Sequence, residues 1–498
     1  MTSLAAVAAW TGPVLIVAVI ARVTGGGAEA PLFVLAVLAA PLLALLAGPE
    51  SGAARSPVTF AVGAVTIACV LTASFRALAD VGQTLGLEIG AVLGPAVVLV
   101  MAGTVWSGHR HVGVVALAVG TAALAVALAV VVAAAGAAPW TVWSRLASRS
   151  AFELGPRSPW TGAGAQFSEA ITLRFTEPHR IAAVAPATLR VTEHDRPTAV
   201  VREWRLGAGE SLALRSGDTV GIPAGAQIRF EAGKRVPGAP PSGIAWADGA
   251  GAPGPRLLVW WAGLTVTLVG GAVLVVRVAA PPSRAAAVWG PLGLLAVTVG
   301  ATCWGLYALD AAPELAVGAP PAANLGRLAP IVADEPWRSR LVAAIGLAMV
   351  ALLLGSAAAL RQRLVDLASA VSRRAGVLGT SVWVGVVVAA AALSPIVADG
   401  WSVLLHGAGL AAATVLGPSL AAGERLGSGG ARAAGALAGG AVVVVLTIVA
   451  RWSAPQGVLH AVAEYPALVG VPAAWLVTML SRGQHAPGGG AVAAARRR

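Results

Sequence analysis

His406 is the one histidine set well inside a long apolar stretch of this chain. An imidazole at such a place has the chemistry to hold a proton, a cation or a cofactor, and ionisable groups in apolar spans are functional hypotheses by default. Asp399, His460 and Glu464 stand at the ends of neighbouring apolar stretches, so the four make a candidate polar cluster on one membrane face. The competing role for His406 is structural, a hydrogen bond that orients two helices. Asp310 and Glu314, with Asp399 and His406, are the acids and base that an outer-face enzyme would use.

Little else in the chain has the spacing that chemistry needs. Cys69 and Cys303 both fall in apolar runs and read as packed thiols, and no Cys/His group has zinc spacing. His179 and His194 lie in a polar segment and read as surface residues. There is no Walker loop, dinucleotide fingerprint or Ser/His/Asp arrangement. A transmembrane haem takes paired histidines within spans, and only His406 is there. Trp401 with His406 is a fragment of the tryptophan-rich segment of haem handlers in cytochrome c assembly, too short to carry that role. Polytopic glycosyltransferases carry acids in their first outer loop, where this chain has Glu29 alone. Coupled ion transport calls for carboxylates at mid-membrane depth, and none is evident. The sequence therefore assigns no catalytic residue, no metal ligand and no cofactor.

The elements that would position these residues are membrane helices. Hydrophobic residues make up 57% of the 498 and charged residues 11%, with a mean hydropathy of +0.81. Soluble domains are about 25% charged. Apolar stretches long enough to span a bilayer number about twelve: residues 4–21, 31–48, 58–75, 89–106, 112–135, 257–276, 287–309, 341–360, 377–397, 401–420, 433–450 and 467–480. The first lacks a basic flank and reads as a retained helix rather than a signal peptide. Five stretches form an N-terminal membrane domain, residues 1–135, and seven a C-terminal one, residues 256–482, followed by a basic tail, 483–498.

Between them, residues 136–255 are polar. Residues 140–149 read as an amphipathic segment on the membrane surface. Short alternating stretches at 170–175, 180–184, 188–193, 199–206, 211–215, 219–222, 227–231 and 244–246, set apart by Pro and Gly turns, predict a small all-β sandwich or barrel. The expected fold class is thus a polytopic α-helical membrane protein with an inserted all-β domain.

Arginine placement sets the orientation. Net charge is +12, carried by Arg with Lys234 the single lysine; beside apolar segments such charge retains cytoplasmic loops and meets anionic lipid rather than nucleic acid. Residues 361–376 carry Arg361, Arg363, Arg373 and Arg374 and read as a cytoplasmic loop, with Leu364, Leu367 and Val371 on one face of a helix lying on lipid. Alternation then puts both termini in the cytoplasm of a cell whose inner membrane holds the protein, with residues 136–255 extracytoplasmic. Arg22, Arg76 and Arg451 dissent. Trp10, Trp106, Trp260, Trp261, Trp337, Trp401 and Trp452 stand near segment ends as an aromatic belt requires, and Gly435, Gly439 and Gly440 suit close helix packing.

Gly217, Pro223 and Gly225 stand at the spacing of the second cupin motif, and the roughly twenty-five residues around them resemble a strand-turn-strand of a cupin-type β-roll. The resemblance implies a β fold without the metal, because Ile228 and Ala232 occupy the ligand positions. The same residues also read as a Pro-Gly turn between two ordinary strands. Leu173 to Pro178 is similar to the edge of immunoglobulin-like copper-carrier domains, whose N-terminal His ligand is missing here.

These observations lead to an expected function without catalysis: a multi-pass subunit or scaffold whose outer β domain docks a protein partner in a larger envelope or bioenergetic complex, the bilayer being its other partner. A transporter of lipid or apolar solute is the alternative, and an outer-face enzyme the third.

Overall fold

The computed structural model describes residues 12–27, 29–46, 57–105, 109–156, 158–167, 170–193, 200–248, 255–276, 284–317, 323–334, 336–369, 371–372, 374–397, 399–422, 429–453 and 462–483. Before the polar segment come α1 (Pro13–Gly26), α2 (Glu29–Leu46), α3 (Pro57–Thr84), α4 (Ile89–Val105) and α5 (His109–Ala135). Then follow α6 (Pro139–Ser148), eight strands and α7 (Gly243–Ala247). The remaining helices are α8 (Pro255–Val276), α9 (Arg284–Ala311), α10 (Ala323–Val332), α11 (Trp337–Ser369), α12 (Ala375–Leu393), α13 (Gly400–Ala411), α14 (Gly417–Ala422), α15 (Gly429–Ser453) and α16 (Ala467–Gly483).

Each of the twelve apolar stretches overlaps a helix. Seven helices among the described residues are long and apolar enough to cross a membrane: α3, α5, α9, α11, α12, the α13–α14 rod and α15. The apolar parts of α1, α2, α4, α8 and α16 are shorter. A π turn, Ala412–Leu416, joins α13 to α14, just where Pro418 withholds the N–H that the Thr414 carbonyl would accept.

Small residues set how closely these helices approach. A Cβ on Gly407 would stand 2.6 Å from the Cys69 Cβ, and the Thr66 hydroxyl donates to the Gly407 carbonyl at 3.2 Å, so α13 crosses α3 at backbone range. Where no hydrophobic drive separates protein from lipid, such close packing and inter-helix hydrogen bonds supply the association.

The strands form two four-stranded antiparallel sheets, β1-β8-β3-β6 and β2-β7-β4-β5. They are β1 (Ala165–Gln166), β2 (Ile171–Arg174), β3 (His179–Ala183), β4 (Ala187–Glu193), β5 (Val200–Leu206), β6 (Ser211–Leu214), β7 (Thr219–Ile222) and β8 (Gln227–Phe230). Period-two alternation buries Leu173, Ile181, Leu189, Leu212, Val220 and Phe230 in one core. Trp160 closes one end, its ring 4.7 Å from Phe230.

Three expectations are corrected. Residues 244–246 are helical within α7, because Ser242 caps that turn by accepting from the Ala245 amide at 3.2 Å. The two-residue β1, too short to show alternation, is an added strand. Residues 361–369 are no separate helix on lipid: they continue α11, and Arg361 and Arg363 are each only 6% exposed. Arg363 Nε donates to the Leu274 carbonyl at 2.7 Å and Arg361 to the Thr380 hydroxyl at 3.2 Å, so these side chains hold α8 and α12. Leu364 and Leu367 are buried with them, Arg374 is exposed and Arg373 lies outside the described residues. The cupin-like segment has its turn glycines in place, Gly217 at φ 96° and Gly225 at φ 85°, but β7 and β8 belong to different sheets, so the turn carries the chain between sheets.

Candidate site where the β region meets the helices

Helix α6 is amphipathic, with Val142 and Leu146 buried and Arg145 in its last turn, and Arg149 follows it as the extended C-cap residue. Both reach Asp310 in the last turn of α9: Arg145 Nη2 meets Oδ2, and Arg149 Nη2 lies 2.5 Å from Oδ1 and donates to the Asp310 carbonyl at 3.1 Å. The Asp310 side chain is 12% exposed. One turn earlier the buried Tyr307 donates its hydroxyl to the Ala137 carbonyl at 2.5 Å, fixing the lead into α6.

Beyond Asp310 the chain makes a short 3-10 turn, Pro313–Ala316, carrying Glu314. Glu314 is 1% exposed, and Ser158, from the loop before β1, donates to its Oε1 at 2.5 Å. On the other flank α7 sits against α6, with Trp143 and Trp246 ring centroids 5.1 Å apart and the Gly243 amide donating to the Arg149 carbonyl at 2.8 Å. Gly27, at φ 45°, lies under the Trp246 carbonyl, where any Cβ would collide. The β region is thus clasped to the helix ends by charge, by backbone contact and by the half-buried Trp143 packed on the buried Trp246. Asp310 has its oxygens occupied by two cations, and Glu314 is enclosed, so neither is presented to a substrate.

Among the described residues, no hydrogen bond or ion pair joins His406 to Asp399 or Glu464. His406 Nδ1 lies 2.6 Å from the Ser402 carbonyl and 3.3 Å from its hydroxyl, both within α13. Asp399 caps that helix, accepting from the Trp401 and Ser402 amides at 3.0 and 3.1 Å. Glu464 faces Arg22 at 3.9 Å and accepts from Tyr465 at 2.9 Å. Arg22 lies over Phe33 at 5.8 Å and Trp260 at 5.5 Å, and Phe33 stands 5.2 Å from Trp401. Aromatic and cation–π contacts, rather than shared ligation, connect Asp399's helix to Glu464. His460 and His194 lie outside the described residues. Among the described residues no group of three or more His, Cys, Asp or Glu is placed to hold a metal.

Two arginines that dissent from the charge rule have local acids: Arg22 has Glu464, and Arg76 has Asp80 at 2.9 Å one turn on. The i,i+4 pair of Arg76 and Asp80 was readable in the sequence; the Arg145, Arg149 and Asp310 triad needs contact across more than 150 residues and was not. His179, expected at the surface, is 3% exposed. It packs between Phe175 and Phe230, accepts from the Glu231 amide at 3.3 Å through Nε2, and burial holds its pKa below the ordinary 6.5.

Fold and site together define a mostly helical chain with, among the described residues, seven helices long and apolar enough to cross a membrane and a small two-sheet β region. No family model matches it, and no curated protein matches it.

Proposed function

We propose that the protein is a non-catalytic multi-pass subunit or scaffold of a larger envelope or bioenergetic complex, with the β region docking a protein partner. In this reading the two sheets pack as a sandwich, about twelve helices cross the inner membrane, both termini are cytoplasmic and the β region is extracytoplasmic. One observation carries it: the acids that an outer-face enzyme would use, Asp310 and Glu314, are engaged with Arg145, Arg149 and Ser158 at the clasp. What the β region leaves open is the outward face of the edge strand β5, with Val201, Glu203 and Arg205 exposed and hence suited to a partner. Extraction into nanodiscs followed by native mass spectrometry tests the proposal. A second protein retained with the chain is the expected result; a chain that always purifies alone overturns it.

The alternative, a transporter of lipid or apolar solute, is favoured by an open groove of about 420 Å³ between α5 and α11, lined by Val115, Val119, Leu347, Val350 and Leu354 among other apolar residues. Cargo-dependent uptake into reconstituted vesicles separates this reading from the first.

A further inference from the structure

The two sheets leave a cleft between β5 and β6. Among the described residues β5 pairs only with β4 and β6 only with β3, so both strands turn a free edge toward it. The cleft has a volume of about 320 Å³, at the small end of the roughly 300–1,000 Å³ of ligand pockets. Val191, Leu212 and Leu214 are buried beneath it, and Trp204, Arg202 and Glu193 line it from the overhanging sheet.

Among the described residues its charged groups are two acids, Glu193 and Asp218, and two arginines, Arg202 and Arg215. Glu193 and Arg202 face each other at 3.6 Å, too long for a full hydrogen bond. Asp218 is 4% exposed and takes the Arg215 amide on Oδ2 at 2.8 Å. Trp204 is 38% exposed, a large aromatic side chain left half open on an inward-pointing position of its strand, opposite Leu189. An aromatic face beside two acids and two guanidinium groups, equal in number among the described residues, suits a neutral ligand that has one apolar face and a rim of groups that both donate and accept.

We infer that this cleft is a saccharide-binding site, with Trp204 as the stacking platform and Arg202, Glu193 and Asp218 as the hydroxyl-reading groups. A sugar ring has C–H bonds on one face and hydroxyls around its edge, which is the chemistry this lining complements. An extended peptide would need a long trough along a strand edge, and the cleft is compact. The inference goes beyond the docking of a protein partner: a scaffold so equipped would also hold envelope glycan.

The test is isothermal titration of the full-length protein in lipid nanodiscs, since sugar-headed detergents would compete, with chitotriose, mannotriose and maltotriose. Saturable binding of at least one, with Kd on the order of 1 mM or tighter, is expected. Trp204→Ala should weaken it roughly tenfold or more, and Trp204→Phe, which keeps a ring, should retain most of it. Asp218→Asn should weaken binding with an unchanged circular dichroism spectrum. No heat from any of the three sugars overturns the inference, as does equal affinity in Trp204→Ala, or binding of an alternating Val-Thr peptide where no sugar binds. A blank titration leaves the docking of a protein partner standing, and a chain that purifies alone leaves the titration standing.

Discussion

Asp310 takes two arginines, and the three side chains differ in how far they are withdrawn from solvent. The Arg145 side chain is 47% exposed, Arg149 27% and Asp310 12%. Exposed ion pairs contribute little, so Arg145→Ala should cost under about 1 kcal/mol. Asp310→Ala removes the shared partner of both guanidinium groups and should cost about 1–3 kcal/mol, read as a lower temperature for release of the β region to limited proteolysis; equal losses for the two variants would mean that the triad does not hold the clasp. His179 gives a pH test. Its Nε2 accepts a backbone N–H, which requires the neutral ring, and burial depresses its folded pKa below the unfolded 6.5. The unfolded chain therefore binds the proton first: stability is full above pH 6.5 and falls as pH drops from there toward the lower folded value. Thermal unfolding of the β region should show that slope, and His179→Phe should flatten it. Neither residue announced its role. Arg145 and Arg149 show i,i+4 spacing on an amphipathic segment, but their partner comes from another helix, and His179 looks polar until the strand period places it on the side facing Phe230.

Helices and strands, by contrast, were legible because their causes are local. Apolar length marks each long helix, though not α10 (Ala323–Val332), which no apolar stretch covers, and the Pro-Ala-Gly turn at 223–225 and the Gly-Ala-Gly turn at 207–209 mark strand ends. The failures were local conflicts. The stretch 244–246 has strand-like residues, and the Ser242 cap decides for helix; the apolar face of 361–369 suits lipid, and the length of α11 carries it into the protein. Small residues are the intermediate case, since abundance shows close packing without showing which pair makes it. The structure pairs α15 with α16 through Gly435 and Gly439: a Cβ on Gly439 would stand 2.6 Å from the Ala474 Cβ and 2.8 Å from the Gly470 carbonyl oxygen. Gly439→Ala should cost about 1–3 kcal/mol by overpacking. Gly346, in mid-α11, has nothing within 4 Å of the same position, so Gly346→Ala should be neutral or stabilise by about 0.5–1 kcal/mol. Thermal stability of the two variants in one nanodisc preparation separates them; the same loss in both would deny the close approach of α15 and α16.

How many helices cross decides where the β region lies, because two counts give opposite parity. If only the seven long helices cross, α3 and α5 precede the β region, and α9 and α11 lie between it and Ser372; the N-terminus, the β region and Ser372 then share one side. If α1, α2, α4, α8 and α16 cross as well, five helices precede the β region and three separate it from Ser372, so the β region stands opposite both. Arg361, Arg363, Arg373 and Arg374 beside Ser372 suit the cytoplasm under either count, whereas Arg482, at the far end of α16, joins them on that side only under the second, which the charge rule therefore favours. Packing favours it too. Helix α1 has 14 residues, about 21 Å at 1.5 Å each, short of the roughly 30 Å hydrocarbon core. Yet every residue from Val14 to Ile20 is buried, so neighbouring helices rather than lipid surround it and its own length does not limit crossing. With Cys69 and Cys303 replaced by Ala, Ser211→Cys in β6 should react with a membrane-impermeant maleimide on intact cells, and Ser372→Cys only after permeabilisation. Labelling of both from the same side would reduce the crossings toward seven and move the cleft between β5 and β6 to the same side as the arginine-rich turn.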